Sequence, residues 1–289
     1  MFGNNFLKLC SLHGFLMINI IYMGCSNNEI NIGYSAEDQN FKTNKRIIGG
    51  INAEKNEFPW QAMLKWNVGK MKDELVCGGS LIDSRFVLTA AHCFIHSMKT
   101  EHYYVILGEH LQSENENEQR IDIKTIIIHQ NFNEITYNND IALVELLSPA
   151  IINDSVNVIS LPAFTNIERP NKMCTVTGWG QTKNQNKAEI LQKVNVPIVN
   201  FATCNGPLSY KNKLTSNMFC AGYINGNYDA CEGDSGSPLQ CKNNDGVWLL
   251  HGITSWGIGC GKPHKYGVYV IVRHYLAWLK SIIKYETLK

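Results

Sequence analysis

Short runs rich in β-branched and aromatic residues, separated by polar turns, are the feature that most constrains the fold of this 289-residue sequence. The runs cover residues 103–107, 121–128, 141–147, 174–177, 194–199, 247–254 and 267–272. Short strands at such a spacing favour an all-β sandwich or barrel. With 44% hydrophobic residues the chain can bury a large core, in one domain or in two closely packed units.

A helix is predicted at the C-terminal end of the chain. Residues 273–280 place Tyr275, Trp278 and Leu279 on one apolar stripe, which is typical of a helix that docks on a β-structure. The formal net charge is +1, and the sequence has no basic run or aromatic-basic stripe. Nothing in the composition therefore points to a nucleic-acid partner.

Residues 1–26 resemble a secretory signal. Lys8 precedes an apolar stretch from Phe15 to Met23, and small residues follow at Gly24–Ser26. The apolar stretch is too short to span a bilayer comfortably, so a membrane anchor is the less favoured interpretation. The sequence predicts a secreted, extracellular protein without a membrane partner.

The cysteine count supports an extracellular location. Of the ten cysteines, Cys10 and Cys25 lie in the leader, so cleavage after Ser26 leaves an even number in the remaining chain. An even number in a secreted protein indicates a disulfide framework. The sequence alone does not choose among the many possible pairings.

Three separate segments suggest nucleophilic catalysis by a serine. Ser235 lies between two glycines, His92 ends the segment Thr-Ala-Ala-His, and Asp140 precedes an apolar run. A serine is a weak nucleophile until a base takes its proton, so the serine and a separate histidine form a chemical hypothesis only together. A carboxylate at the edge of a core needs a partner such as an imidazole N–H.

Other hydrolytic chemistries fit less well. The remaining candidates for the base, His96, His102, His110 and His129, have no comparable setting. A hydrolase of the α/β type has Gly-x-Ser-x-Gly with its Asp and His after the Ser, whereas here Ser237 occupies the last position and the order is reversed. No His-Glu-x-x-His segment is present for a metallopeptidase.

The three segments, in the order His, Asp, Ser, resemble the trypsin and chymotrypsin family of serine endopeptidases from Ile47 to about Lys280. The resemblance implies two packed six-stranded antiparallel β-barrels and a C-terminal α-helix, with residues 47–289 as the peptidase domain. It also implies that Ser235 is the nucleophile, His92 the base and Asp140 the residue that orients the base. The backbone N–H groups of Gly233 and Ser235 would form the oxyanion hole. The resemblance further implies that no cofactor is required.

The same resemblance selects one disulfide pairing among those left open. It implies the pairs Cys77–Cys93, Cys174–Cys241, Cys204–Cys220 and Cys231–Cys260.

An activation site follows from the resemblance as well. A cut after Arg46 would release a propeptide, residues 27–46, and create a new amino group at Ile47. In the family this group folds inward and pairs with the acid before the catalytic serine, here Asp234. The chain is therefore expected to be a zymogen that another trypsin-like protease, or the enzyme itself, activates.

Specificity is implied by the residues that correspond to the family's primary pocket. Asp229 would lie at its floor and attract a cationic side chain, which predicts cleavage after Arg or Lys. Ala230 lacks a hydroxyl that would serve a compact ammonium more than a guanidinium, so Arg is preferred. The remaining predicted substrate-binding residues are Glu232 at the mouth, Gly257 and Gly267 at the walls, and Ser255, Trp256 and Gly257 on a strand that pairs with the substrate backbone.

A calcium loop is a further expectation. Glu109, Glu116 and Glu118, with Glu114 between them, resemble the carboxylate-rich calcium loop of trypsins, and calcium prefers such oxygen ligands. The loop is about one residue shorter than that family's pattern. A solvated acidic turn is the alternative.

Two other functions compete with the endopeptidase. A non-catalytic binding protein on the same scaffold would usually lack one of His92, Asp140 and Ser235, all of which are present. An esterase or transferase would have no need of Asp229. The expected partners are protein or peptide substrates and protein inhibitors, and a monomer is expected.

Overall fold

The computed structural model describes residues 49–69, 72–113, 118–182 and 187–287. The predicted signal and propeptide, together with Arg46, Ile47, Glu114 and Glu116, lie outside the described residues. In chain order the described strands are β1 (Ile51–Asn52), β2 (Gln61–Trp66), β3 (Leu75–Asp83), β4 (Phe86–Thr89), β5 (Tyr103–Leu107), β6 (Gln119–Ile128), β7 (Ala142–Leu146), β8 (Met173–Gly178), β9 (Gln192–Val199), β10 (Met218–Ala221), β11 (Pro238–Lys242), β12 (Trp248–Trp256) and β13 (Gly267–Ile271).

The first barrel closes in the order β2-β3-β4-β7-β6-β5, and every neighbouring pair is antiparallel. Its interior is filled by aliphatic side chains such as Leu64, Leu88, Val105 and Leu143, which are completely buried. Along β6 several buried residues alternate with exposed ones, as expected for a strand with one face toward a core.

The second barrel closes in the order β8-β9-β10-β13-β12-β11, because β8 pairs with both β9 and β11. The short strand β1 pairs with the first two residues of β9, with Ile51 opposite Lys193. Val176, Val196, Leu239 and Tyr269 are buried in its core. The two closed six-stranded barrels confirm the predicted fold class.

The C-terminal helix is confirmed, although it differs in extent from the prediction. Residues Val272–Tyr275 form a 3-10 turn, and the α-helix itself covers Leu276–Thr287 (α2). Leu279 is completely buried in the large hydrophobic cluster that contains the core of the first barrel and residues of β12 and β13, and His129 packs against the rings of Tyr275 and Trp278. One further short helix, Phe201–Cys204 (α1), begins at Asn200, whose side chain accepts hydrogen bonds from two backbone N–H groups of that turn.

Four disulfide bonds join the pairs that the family resemblance implied: Cys77–Cys93, Cys174–Cys241, Cys204–Cys220 and Cys231–Cys260. Two of them adjoin the candidate site, since Cys93 follows His92 and Cys231 begins the loop that carries Ser235. In the described part of the chain, neither helix has the length and apolar character needed to cross a membrane.

Candidate active site

The first barrel brings His92 and Asp140 together. Strands β4 and β7 are antiparallel, and Thr89 lies opposite Ala142. The residues after Thr89 and those before Ala142 therefore leave the barrel at the same end. His92 Nδ1 lies 2.7 Å from Asp140 Oδ2, and the backbone N–H of His92 donates to Asp140 Oδ1 at 2.8 Å. Asp140 is completely buried. A carboxylate held in this way fixes the orientation of the imidazole and favours a proton on Nδ1.

The second barrel supplies Ser235, on the loop between β10 and β11. The backbone N–H of Gly78 donates to the carbonyl of Ser235 at 2.7 Å, which ties this loop to the first barrel. A Cβ at Gly236 would lie 2.1 Å from Thr89 Oγ1 and 3.2 Å from the backbone nitrogen of Ala90. The serine loop therefore packs directly on the segment that precedes His92, and this contact requires a glycine after the serine.

Ser255 makes a contact that the sequence did not predict. It was expected to bind substrate, but its hydroxyl donates to Asp140 Oδ2. Asp140 thus accepts hydrogen bonds from both barrels. No local signal could have paired Ser255 with Asp140, because the two residues are 115 positions apart in the sequence.

Tyr137 was also missed. Its ring lies edge-on to the ring of His92, with the centroids 5.6 Å apart. The residue is half-buried and has a φ of 56°, which is unusual for a bulky side chain. A tyrosine in a polar loop carries no sequence signal for such a position.

Gly233, one of the predicted oxyanion-hole residues, has a φ of 94°. Residues with a Cβ rarely adopt this conformation. A Cβ there would also lie 3.0 Å from the Cα of Gly180. The backbone at this position therefore requires glycine.

A cavity of about 170 Å³ opens beside Ser235. All seven predicted substrate-binding residues line it, namely Asp229, Ala230, Glu232, Ser255, Trp256, Gly257 and Gly267. Asp229 is only 4% exposed, and its Oδ2 accepts a hydrogen bond from the N–H of Gly261 at 3.0 Å. Burial raises the pKa of the Asp229 carboxyl to about 7. A ligand cation in the cavity would favour the ionised carboxylate, so the cavity suits a positively charged side chain.

Asp234 is completely buried just before Ser235. Its two oxygens accept hydrogen bonds from the backbone N–H groups of Gly180 at 2.8 Å and Cys231 at 2.9 Å. A Cβ at Gly178 would lie 2.1 Å from Asp234 Oδ1, so the carboxyl group fills a slot that the glycines at the end of β8 leave open. Burial raises the pKa of Asp234 to about 7.

Two of the predicted calcium ligands come together. Glu109 is 6% exposed, and its Oε1 is buried without a hydrogen-bond partner among the described residues. Burial and the neighbouring carboxylate of Glu118 raise the pKa of Glu109 to about 7. An unsatisfied buried oxygen beside a second carboxylate fits a hard cation. A second group, Cys77, His92 and Cys93, is not a metal site because its two sulfurs form a disulfide bond.

Comparison with known proteins agrees with this geometry. The family model described as Trypsin matches residues 47–279. Among curated proteins, the mouse (Mus musculus) protein named transmembrane protease serine 11C is 39% identical over 237 residues. That alignment covers 82% of this chain and 53% of the mouse protein, so the chain matches about half the length of this relative.

Proposed function

The chain belongs to the trypsin family of serine proteases, and we propose that it acts as a secreted endopeptidase, made as a zymogen, that cuts peptide bonds after arginine. One observation carries the proposed endopeptidase activity and its preference for a cationic side chain. Asp140 holds His92 beside the loop of Ser235, and the same loop borders a cavity that contains the buried carboxyl group of Asp229.

In the proposed reaction, Ser235 Oγ attacks the carbonyl carbon of the substrate while His92 Nε2 takes the hydroxyl proton. Asp140 Oδ2 accepts the Nδ1–H of His92 and stabilises the imidazolium that forms. The N–H groups of Gly233 and Ser235 stabilise the oxyanion of the tetrahedral intermediate. His92 then gives the proton to the leaving amine as the C–N bond breaks, which leaves the acyl group as an ester on Ser235 Oγ. Water, deprotonated by His92, attacks this ester, and the proton returns to Ser235 Oγ as the new carboxyl group leaves.

The proposed preference for arginine rests on Asp229 and Ala230. A guanidinium reaching Asp229 can form two parallel hydrogen bonds with the carboxylate, whereas an ammonium is a point charge that gains more from an additional hydroxyl partner. Ala230 provides no hydroxyl. Glu232 is exposed at the cavity mouth, where its charge disfavours acidic residues near the cut.

Paired peptide amides that differ only in Arg or Lys test this preference. We expect a higher kcat/KM for Arg, and we expect Ala230→Ser to improve Lys cleavage more than Arg cleavage. Asp229→Ser should remove the preference for both cations. Equal turnover of the Arg and Lys amides by the wild-type enzyme would refute the preference for arginine.

The proposed zymogen rests on the surroundings of Asp234. A buried carboxylate with only neutral donors is unfavourable as an anion, and the new ammonium group of Ile47 would supply the missing positive charge. The disulfide bonds fit an oxidising, extracellular compartment. Trypsin-like activators and protein inhibitors are the proposed partners.

A fluorophosphonate probe that labels active serines tests activation and catalysis together. We expect no labelling of the intact secreted chain, labelling of Ser235 after a cut at Arg46, and no labelling of Arg46→Gln. Ile47→Gly should weaken labelling of the cut form. Full labelling before the cut would refute the zymogen, and no labelling of the cut form would favour a non-catalytic binding protein.

We also propose that Glu109 and Glu118 hold a calcium ion that stabilises their loop. The support is the unsatisfied Oε1 of Glu109 beside Glu118.

A further inference from the structure

The segment before Asp140 has an unusual backbone. Tyr137 has a φ of 56° and Asn139 a φ of 57°, so two of the three residues immediately before Asp140 adopt the left-handed conformation. Asparagine tolerates this conformation, but a tyrosine rarely adopts it. Such a segment persists only where its surroundings hold it in place.

Contacts from outside the first barrel hold this segment. Asn139 Oδ1 accepts hydrogen bonds from Asn217 Nδ2 at 3.1 Å and from the Tyr275 hydroxyl at 2.9 Å. Asn139 Nδ2 donates to the carbonyl of Asn131 at 2.7 Å, within its own loop. Asn217 immediately precedes β10 of the second barrel, and Tyr275 ends the 3-10 turn before α2.

The amide of Asn217 is itself oriented by neighbours. Its Nδ2 also donates to Asn138 Oδ1 at 3.0 Å, and the same oxygen accepts from Thr215 Oγ1 at 2.8 Å. His274 Nδ1 lies 3.3 Å from Asn217 Oδ1, and since an amide oxygen can only accept, the imidazole is the donor. This bond turns the Nδ2 of Asn217 toward the segment that precedes Asp140.

We propose that Asn217 and Tyr275 are positioning residues for catalysis. They hold residues 137–139 from the second barrel and the C-terminal segment, so that the Asp140 carboxylate stays aligned with Nδ1 of His92 and the Tyr137 ring stays against the imidazole. The inference rests on the proposed function, because Asn217 and Tyr275 can aid catalysis only if the His92–Asp140 pair is catalytic. Hydrogen-bond strength falls steeply with misalignment, so small shifts of Asp140 have large effects.

Two single variants test the proposal in the activated enzyme. Tyr275→Phe keeps the ring and removes only the hydroxyl, and Asn217→Ala removes the bridging amide. For each we expect kcat to fall about tenfold with KM nearly unchanged, since a displacement of about 1 Å can cost roughly 100-fold in rate. We expect the acid-limb pKa of kcat/KM to move down, because a displaced carboxylate stabilises the imidazolium of His92 less.

A matched control is Asn243→Ala. The side chain of Asn243 accepts hydrogen bonds from the N–H groups of Asp245 at 3.0 Å and Val247 at 2.9 Å in the turn between β11 and β12, outside the proposed site. We expect this variant to lower Tm without moving the acid-limb pKa. If Asn217 had only a structural role, Asn217→Ala would behave in the same way. The NMR resonance of the His92 Nδ1 proton gives a readout that does not depend on turnover.

The outcomes separate this inference from the proposed function. If the activated wild-type enzyme neither reacts with a fluorophosphonate nor hydrolyses peptides, the proposed function fails. If the wild type is active and both variants keep its kcat, its acid-limb pKa and its Nδ1 proton resonance, the positioning role is refuted. Should Asn217→Ala not fold, Tyr275→Phe decides alone.

Discussion

At the scale of single residues, two buried carboxyl groups near Ser235 have pKa values raised to about 7 by burial but have different neighbours. Asp229 borders a cavity, so a ligand from solvent can reach it. Asp234 is completely buried, and its oxygens face backbone N–H groups of the protein itself. The first group suits recognition of a substrate, and the second suits a partner from the same chain.

Binding of benzamidine, a cationic amidine, tests the charge of Asp229. Because its pKa in the folded protein is about 7 instead of the ordinary 3.8, the carboxyl is protonated below pH 7 and cannot pair with a cation. We expect the affinity to fall about tenfold for each pH unit below 7. The Asp229 carboxyl also binds its proton more tightly in the folded protein than in the unfolded chain. Without a ligand, this difference stabilises the folded protein fully below pH 3.8, and the stabilisation is lost as the pH rises through 7.

Calorimetry between about pH 5.5 and 8.5 measures how the affinity for benzamidine depends on pH. A carboxyl with an ordinary pKa would stay ionised over this range, so it would give a nearly constant affinity. Asp229→Asn is the control, since it keeps the shape of the floor and has no titrating group. We expect the variant to bind weakly, with an affinity that varies little with pH. An equally flat profile for the wild type would contradict the raised pKa.

The two cavity glycines should differ in their tolerance of a methyl group. A Cβ at Gly267 would lie 2.7 Å from the Tyr269 hydroxyl and 3.0 Å from Asp229 Oδ1, whereas at Gly257 the nearest atom is 3.7 Å away. We therefore expect Gly267→Ala to lower Tm by several degrees and to weaken benzamidine binding about tenfold, and Gly257→Ala to leave Tm within about 2 °C. Thermal unfolding of the pair checks this, and equal Tm values for the two variants would contradict it.

At the scale of elements, the sequence pattern predicted strands where side chains alternate or form apolar runs, as in β5 and β6. It did not predict β3, which contains Gly78 and Gly79, since glycine usually weakens a strand. The structure explains both glycines by close contacts with other segments, β4 for Gly79 and the loop before β11 for Gly78. A Cβ at Gly78 would lie 1.9 Å from Ser237 Oγ, and one at Gly79 would lie 2.7 Å from Val87 Cγ1.

The residues of the candidate site also fall into some that local sequence predicted and others that it did not. His92, Ser235 and Asp229 lie in recognisable local segments, so their positions could be predicted. The contacts of Ser255 and Asn217 with the Asp140 region depend on how the second barrel meets the first. No local sequence pattern predicts such contacts, because Ser255 and Asn217 are residue types that commonly occur in strands and turns without any such role.

The loop between β5 and β6 provides a prediction about calcium. Burial and the neighbouring carboxylate of Glu118 raise the pKa of Glu109, so binding of calcium would release a proton from it. We therefore expect millimolar calcium to raise Tm, by roughly 5 °C or more at about 100 times Kd, with an effect that grows as the pH rises. Thermal unfolding in calcium and in EDTA measures this effect.

Glu109→Gln should abolish the response to calcium. Glu145→Gln is a suitable control, because Glu145 is also a buried acid but pairs with Lys124 at 2.7 Å on the wall of the first barrel. Its variant should be less stable yet keep the calcium response. A wild-type Tm that does not change with calcium would refute the site.

At the scale of the whole molecule, a chain of buried hydrogen bonds joins the barrels. Trp60 Nε1 donates to Gln240 Oε1, Gln240 Nε2 donates to Thr177 Oγ1 at 3.2 Å, and Thr177 Oγ1 donates to Gln61 Oε1 at 2.6 Å. Gln61 Nε2 then reaches Ser237 Oγ at 3.4 Å. All five side chains are buried, so separating the barrels would leave these groups unpaired unless water replaced their partners. The barrels are therefore expected to unfold together.

A double-mutant cycle on this network tests the expectation. Gln240→Leu leaves the indole N–H of Trp60 buried without its acceptor, which should cost about 1–3 kcal/mol and lower Tm by roughly 2–12 °C. Trp60→Phe removes the donor instead, and in the double variant neither group of that pair is left unsatisfied. The double variant should therefore lose less stability than the sum of the single variants, by about 1–3 kcal/mol. Calorimetry measures all three variants, and additive losses or two separate unfolding transitions in the wild type would show that the network does not couple the barrels.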